Sequence, residues 1–215
     1  MTSTRPPQPT ERAVAWKPGP RTARSRSKLI DAAKDVFLEH GFDGARVGDI
    51  ASAAGVSRGT FYLYFPSKHD VLLAIGVNCV EGGQRLARNA RAIPDDWVED
   101  DLRTWLVGLL DHLDRFGAFG MLWRQQVPEA LREQGIKGEH STATSLGREL
   151  TRLRGTAIGE PLHIGLAYQM MTEGLWHQHR RAPHLLDRDE LLDTLVITTK
   201  MFLSAPRAHG RARQR

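Results

Sequence analysis

Apolar residues recur along this chain with a period near 3.6, and that period constrains the fold more than any other feature of the sequence. Ile30, Ala33 and Phe37 stand at i, i+3 and i+7, with Leu29 and Val36 widening the stripe. Val47, Ile50, Ala51 and Ala54 repeat the pattern at i, i+3, i+4 and i+7. Period-two alternation, the mark of a half-buried strand, is nearly absent. Of eleven prolines, five lie before residue 21; the other six (Pro66, Pro94, Pro128, Pro161, Pro183 and Pro206) occur singly between stretches rich in Leu, Ala, Arg and Glu. Proline in a helix interior removes a hydrogen bond and clashes with the preceding turn, so these six read as punctuation between helices.

The pattern predicts an all-α protein of about nine helices. The first is stopped by Gly41, and a short second one runs from Val47 and is closed by Gly55. Ser57 caps a third through Tyr64, and Ser67, with Asp70 three residues on, opens a fourth. Five more are expected over 95–116, 119–126, 128–154, 160–180 and 187–203. Three glycines, Gly135, Gly138 and Gly147, interrupt the 128–154 stretch.

A chain of 215 residues has room for a small unit joined to a larger one. It has no run of 18 apolar residues, and its first twenty positions have no apolar segment, which argues against a membrane span or a secretory leader. The single cysteine, Cys79, cannot close an internal disulfide, and a reducing cytoplasm is the expected location. The formal charge of +5 is unevenly spread. Residues 1–28 carry seven basic side chains against one acidic, and residues 206–215 carry four arginines and no acid, so 29–205 sums to −5. Basic ends of this kind suit either a polyanion partner such as nucleic acid or plain solvation. The organisation expected is a disordered basic arm over 1–23, a small helical unit over 24–74, a larger helical body over 75–205 and a basic tail over 206–215.

Residues 47–65 hold two short helices separated by Ala54-Gly55-Val56-Ser57, the layout a helix-turn-helix needs to project the start of its second helix into a major groove. Through Asp49-Ile50-Ala51, Ala54-Gly55-Val56-Ser57, Gly59-Thr60-Phe61-Tyr62-Leu63-Tyr64-Phe65 and Pro66-Ser67-Lys68, the segment resembles the TetR family of bacterial transcriptional repressors. The match runs in order and spacing from about Lys28 to Leu73 and fades after Ile75. The resemblance implies a DNA-binding dimer whose larger domain encloses a small-molecule pocket.

Candidate DNA contacts follow residue by residue. Arg58 suits either guanine O6 and N7 or a phosphate, and Gly59 permits close approach of the helix to DNA. Ser57 and Thr60 complete that first turn, Thr60 offering a hydroxyl to phosphate or a methyl to thymine. Tyr62 and Tyr64 diverge by about 200° on a helix, so both cannot be core. The resemblance gives Tyr62 a backbone phosphate and places Tyr64 at or beside the groove, whereas Phe61 and Phe65 read as packing. Lys68 stands in a first helical turn, where a cation opposes the helix dipole; either a DNA phosphate or simple surface exposure would account for it. Two positions depart from the family pattern. Arg46 stands where a Thr or Ser cap is usual, leaving the second helix uncapped and a long cation near the phosphates, and Gly48 replaces an often polar residue. Arg21, Arg24, Arg26 and Lys28 form either a minor-groove arm or a solvated tail.

Beyond residue 75, apolar stripes run through Trp105, Leu109, His112, Leu113 and Phe116, then Phe119, Met121, Leu122 and Trp123, and later Tyr168, Met170, Met171, Leu175, Trp176 and His177. Each residue alone reads as core. Together they suggest a pocket for an apolar, aromatic or acyl effector, with Trp105, Leu109, His112, Phe116, Phe119, Trp123, Met170, Trp176 and His177 as its candidate lining. Glu173 and His177 at i, i+4 form either a partial metal pair lacking further ligands or a polar pair; no metal site and no cofactor is expected. Leu162, Leu166 and Gly174, with Leu191, Leu195, Thr199 and Phe202, are expected at a two-fold, four-helix interface between subunits. Competing readings are a DNA binder that senses no ligand and an enzyme using the helical cavity. Against the enzyme stand the missing phosphate-binding loop and the missing nucleophile with a base.

Overall fold

The computed structural model describes residues 20–157 and 159–204, with side chains from Thr22 onward. These residues form eight α-helices and one short 3-10 turn, with no strand among them. In chain order the helices are α1 (Pro20–Gly44), α2 (Val47–Ala53), α3 (Arg58–Tyr64), α4 (Lys68–Asn89), α5 (Glu99–Gln126), α6 (Glu129–Arg154), α7 (Pro161–Arg181) and α8 (Arg188–Ser204); the 3-10 turn, Ala90–Ala92, follows α4. Residues 1–19 of the expected arm and the tail 206–215 lie outside the described residues.

The stops fall where local chemistry puts them. Gly41 breaks α1 at φ 69° and Gly155 ends α6 at φ 73°, both in the left-handed region that glycine enters without a Cβ penalty. Ser57 caps α3 by accepting from the Thr60 amide at 3.0 Å, and Ser67 caps α4 by accepting from the Asp70 amide at 3.4 Å. The expected break between 116 and 119 is absent: α5 is one helix through Gly117 and Gly120, and the count falls to eight. A glycine costs a helix interior only ~1 kcal/mol, and tertiary packing outweighs it here because Gly117 gives room to the Trp176 ring, 2.7 Å from where a Cβ would stand.

Two hydrophobic cores organise the chain. The first gathers Leu29 and Phe37 of α1, Ile50 of α2, Phe61 of α3 and Val71, Leu72 and Ile75 of α4, and it takes in Phe119 from α5. The second joins Leu102, Leu106 and Leu110 of α5 to Leu150 of α6, Tyr168 of α7 and Leu191 and Leu195 of α8. Helix α4 contributes to both. Helices α6 and α7 approach backbone to backbone: a methyl at Gly147 would overlap the Pro161 carbonyl, and one at Gly165 the Ala143 carbonyl. Gly147 therefore does not interrupt α6; it lets α7 come close. Trp123 likewise presses on Gly135, where any side chain would meet the indole.

Four of the residues expected at a subunit interface face inward instead. Leu191, Leu195 and Thr199 are buried within their own domain, and Phe202 packs on the same core with its ring 5.5 Å from that of Tyr168. The Thr199 and Tyr168 hydroxyls share a hydrogen bond of 2.7 Å. Their heptad-like spacing marks the buried stripe of α8, since a 3.6 period shows that a helix has an apolar face but not which neighbour covers it. Leu162 and Leu166 are half-buried and Gly174 is exposed. The apolar side chains these helices present outward are Ala167 and Met170 on α7 and Ile197 and Met201 on α8.

Candidate nucleic-acid interface and helical cavity

Helices α2 and α3 are joined by a turn that the sequence closes tightly. The Val56 amide donates to the Ala51 carbonyl at 2.9 Å and the Gly55 amide to that of Ser52 at 3.0 Å, the paired bonds of a Schellman stop, with Gly55 at φ 68°. Phe61 and Phe65 are buried with ring centroids 5.9 Å apart, which fixes the roll of α3 and turns its opposite side outward. On that side Ser57, Arg58 and Gly59 are exposed, and Tyr62 is 54% exposed. Thr60 is half-buried, and its hydroxyl lies 2.9 Å from that of Ser57. Leu63, which the sequence reading passed over, is 83% exposed, the most exposed large apolar side chain among the described residues. Its position between two tyrosines on a helix whose phenylalanines are core was the available signal.

Arg46 is exposed and supplies the backbone start of α2 without any side-chain cap bond. Gly48, the second departure from the family pattern, is explained by its neighbour. The Arg58 guanidinium lies across it, so that even a methyl group there would displace the charge. Tyr64 is half-buried against the first core. Arg24 and Lys28 are exposed on α1, while the Arg26 guanidinium sits 5.1 Å from the centre of the Phe65 ring.

Lys68 has a different environment from the one its position suggested. Its ammonium donates to the carbonyls of Phe42 at 2.8 Å, Asp43 at 3.3 Å and Ala45 at 3.3 Å, and stands 4.5 Å from the centre of the Phe42 ring. Those carbonyls close the end of α1, where the helix dipole is negative, so the cation satisfies one helix terminus from the start of another. All three ammonium donors are engaged by these carbonyls.

A cavity of about 330 Å³ lies between α4, α5, α6 and α7. Of the expected lining, it brings together His112, Phe119 and Trp123. The rest lie elsewhere. Trp105, Leu109, Phe116 and Trp176 are buried in packing, the indole N–H of Trp105 donating to the Leu86 carbonyl and that of Trp176 to Asp114. Met170 is 48% exposed, and His177 is half-buried beside Trp176. The α4 and α6 walls, Leu73, Val77 and Val80 with Gly135 and Gly138, were not anticipated. A wall built of small residues carries no aromatic signature in the sequence.

The polar part of the wall is a forked ion pair. Arg124 donates to Glu139 of α6 at 2.9 Å and to Glu173 of α7. Burial raises the Glu173 carboxyl above the ordinary range, opposed by Arg124 and aided by Glu139. Burial also pushes the Cys79 thiol up to about 12, with the Glu173 charge adding to the effect, so at neutral pH Cys79 lines the cavity as a thiol and not as a nucleophilic thiolate. Glu173 is held by Arg124 and does not pair with His177, and among the described residues no three His, Cys, Asp or Glu side chains converge on a metal position.

A three-helix module that projects a short capped helix, joined by one long helix to a body with an apolar cavity, is the design of a helix-turn-helix transcriptional regulator. Residues 29–75 match the model for bacterial regulatory proteins of the tetR family. The HTH-type transcriptional regulator EthR of Mycobacterium tuberculosis is 30% identical over 192 residues, covering 87% of this chain and 80% of the relative. The chain belongs to the TetR family of bacterial transcriptional regulators. Other curated relatives match over less of their length. The fatty acid metabolism regulator protein of Bacillus subtilis is 46% identical over 48 residues, which is 22% of this chain and 25% of the relative. The first three relatives matched are covered over 25% to 56% of their own length. The fold is shared with the fatty acid degradation regulator FadR from Bacillus halodurans at a TM-score of 0.61 and 22% identity, covering 89% of this chain and 99% of that one. It is shared too with SmeT, the repressor of the Stenotrophomonas maltophilia multidrug efflux pump SmeDEF, at 0.57 and 22%, covering 84% and 89%. Among the described residues no helix is long and apolar enough to cross a membrane.

Proposed function

We propose that this protein is a dimeric, ligand-responsive repressor, acting in the cytoplasm on double-stranded DNA with a palindromic operator and released by a small apolar effector. Residues 24–74 form the DNA-binding unit in this reading, and 75–205 the ligand-binding and dimerisation unit. The carrying observation is that Phe119 and Trp123 belong at once to the cavity wall and to the packing around the core under α3. Helix α4 is shared in the same way: Val71, Leu72 and Ile75 support the DNA-binding module, and Leu73, Gly76 and Val77 line the cavity. A ligand that moves Trp123 or rolls α4 therefore acts directly on the seat of the recognition helix. An effector shifts the dimer toward a state whose half-site spacing no longer fits only if it binds that state more tightly.

In this role Arg58 and Tyr62 make the main DNA contacts, with Ser57, Gly59 and Thr60 shaping the approach and Arg46 adding charge. Leu63 offers an apolar surface suited to a thymine methyl. The dimer forms through the outward faces of α7 and α8, around Met170, Gly174, Ile197 and Met201, paired about a two-fold axis. The test is binding to DNA upstream of the protein's own gene against scrambled DNA across a salt series. Specific repression predicts at least about a tenfold preference at physiological salt, and a smaller one overturns it. Arg58→Ala should relax preference at particular base positions, whereas Tyr62→Phe should weaken binding to all sequences alike.

A further inference from the structure

We propose that the cavity is built for a lipophilic cation, an amphiphile with one positive charge beside an alkyl or aromatic body, and that it discriminates against fatty acyl carboxylates. The inference rests on reading the cavity as the effector site and adds the charge of its ligand. Among the described residues, Arg124 is the only lysine or arginine lining the cavity. An anionic head group would have to be met by that guanidinium, and it is already forked between Glu139 and Glu173. Two carboxylates on one guanidinium leave a surplus negative charge on the wall. Glu81, the third acid of the lining, is answered outside by Arg85 at 3.9 Å. A carboxylate entering this site would displace a charge-assisted bond and strand a partly buried glutamate without a counter-ion.

Further features of the lining bear on the charge of the ligand. After burial, the surplus is felt at Cys79, where the charges of Glu173 and Glu139 work against ionisation and Arg124 favours it; at Glu173 itself burial comes first and Arg124 outweighs Glu139. Across the cavity His112 is held neutral, its pKa pushed down to about 4 by burial and by Arg85 and Arg115, so it supplies no compensating charge at neutral pH. Two buried polar atoms of the lining, Oγ1 of Thr142 and Oε1 of Gln169, have no hydrogen-bond partner, and Thr142 is only 8% exposed. An amide oxygen without a donor favours a positive charge or an N–H over a carboxylate oxygen, while the Thr142 hydroxyl can serve either. The Phe119 and Trp123 rings, 5.7 Å apart, give an apolar body something to lie against and a cation a π-face.

A matched series isolates the charge: decyltrimethylammonium, decylamine, decanol and decanoate share one alkyl chain and differ in head group. Binding to the full-length protein is followed by tryptophan fluorescence and calorimetry below micelle-forming concentrations. The expected result is that the two cations bind at least about tenfold tighter than decanoate, with decanol between them. Glu173→Gln should shrink the cation-to-carboxylate ratio by about tenfold and leave decanol within about twofold. Glu139→Gln is the second variant, expected to act in the same direction should Glu173→Gln fold poorly. Decanoate binding as tightly as the cations, or a ratio unmoved by both variants, overturns the charge assignment while keeping the cavity as a ligand site. If none of the four compounds binds and Trp123→Ala changes nothing, the effector reading itself fails.

Discussion

His112 offers a test of the cavity that needs no ligand. Its imidazole lines the cavity wall, with Nδ1 2.9 Å from where a Cβ on Gly82 would stand and its ring 5.3 Å from that of Phe116. Burial disfavours the charged form, and the nearby guanidinium groups of Arg85 and Arg115 repel it, bringing the pKa down to about 4. Well above pH 6.5 the side chain is neutral in both the folded and unfolded chains and contributes no pH dependence. Between 6.5 and about 4 the unfolded chain takes up a proton that the folded one refuses, so stability falls as the pH falls. At about 1.4 kcal/mol for each tenfold change in proton affinity, the full loss is about 3 kcal/mol, of which about 2 kcal/mol is reached by pH 5. His112→Gln keeps a polar side chain of similar reach without the titration. Urea unfolding of both proteins from pH 7.5 down to 4.5 gives the difference, in which acid titration of the carboxylates common to both cancels. The wild type should lose about 1 M more in urea midpoint than the variant on going to pH 5. Parallel pH profiles would show that His112 is solvated and that the wall is not closed as described.

Other expectations follow from single contacts. Lys68→Met removes three carbonyl partners from the end of α1 and should cost about 2 kcal/mol of stability, read by thermal unfolding; full stability with only a flatter salt dependence of DNA binding would restore the phosphate role. Gly165→Ala gains about 1 kcal/mol of helix propensity but drives a methyl into the Ala143 carbonyl, so it should lower stability by about 1–3 kcal/mol, and a raised melting temperature would refute the close crossing. Ile197→Glu and Met201→Glu should yield folded monomers in sedimentation, whereas Leu195→Glu should unfold the domain because Leu195 is fully buried. Dimers that survive both outward substitutions would place the subunit contact elsewhere.

Helix periodicity and turn chemistry made the N-terminal module legible almost residue by residue. Ser57, Gly55 and Ser67 act through bonds to their near neighbours, and local bonds leave local sequence signatures. The cap made by Lys68 was not legible because its partners lie more than twenty residues upstream, and no local pattern reveals a cap borrowed from another helix. The cavity was half legible. His112, Phe119 and Trp123 stood out as aromatic and polar side chains, but so did Trp105 and Trp176, which fill the second core. The period of α8 identified an apolar stripe, and only its packing against α5 and α7 shows that the stripe is spent inside the subunit. The glycines of α6 looked like interruptions because a sequence does not show the helix that presses against them.

The crossing of α6 and α7 at Gly147 and Gly165 bears on how this protein can change over generations. With carbonyl oxygens in place of interdigitating side chains, neither helix can slide or roll on the other without a backbone collision, and the pair behaves as a single beam carrying Glu139 and Glu173. Ligand preference can then drift by exchanging side chains on the facing walls of α4 and α5 while the beam keeps its two carboxylates in register. Libraries aimed at new ligands would retain the most folded members if they leave these two glycines fixed and vary Leu73, Val77 and Val80.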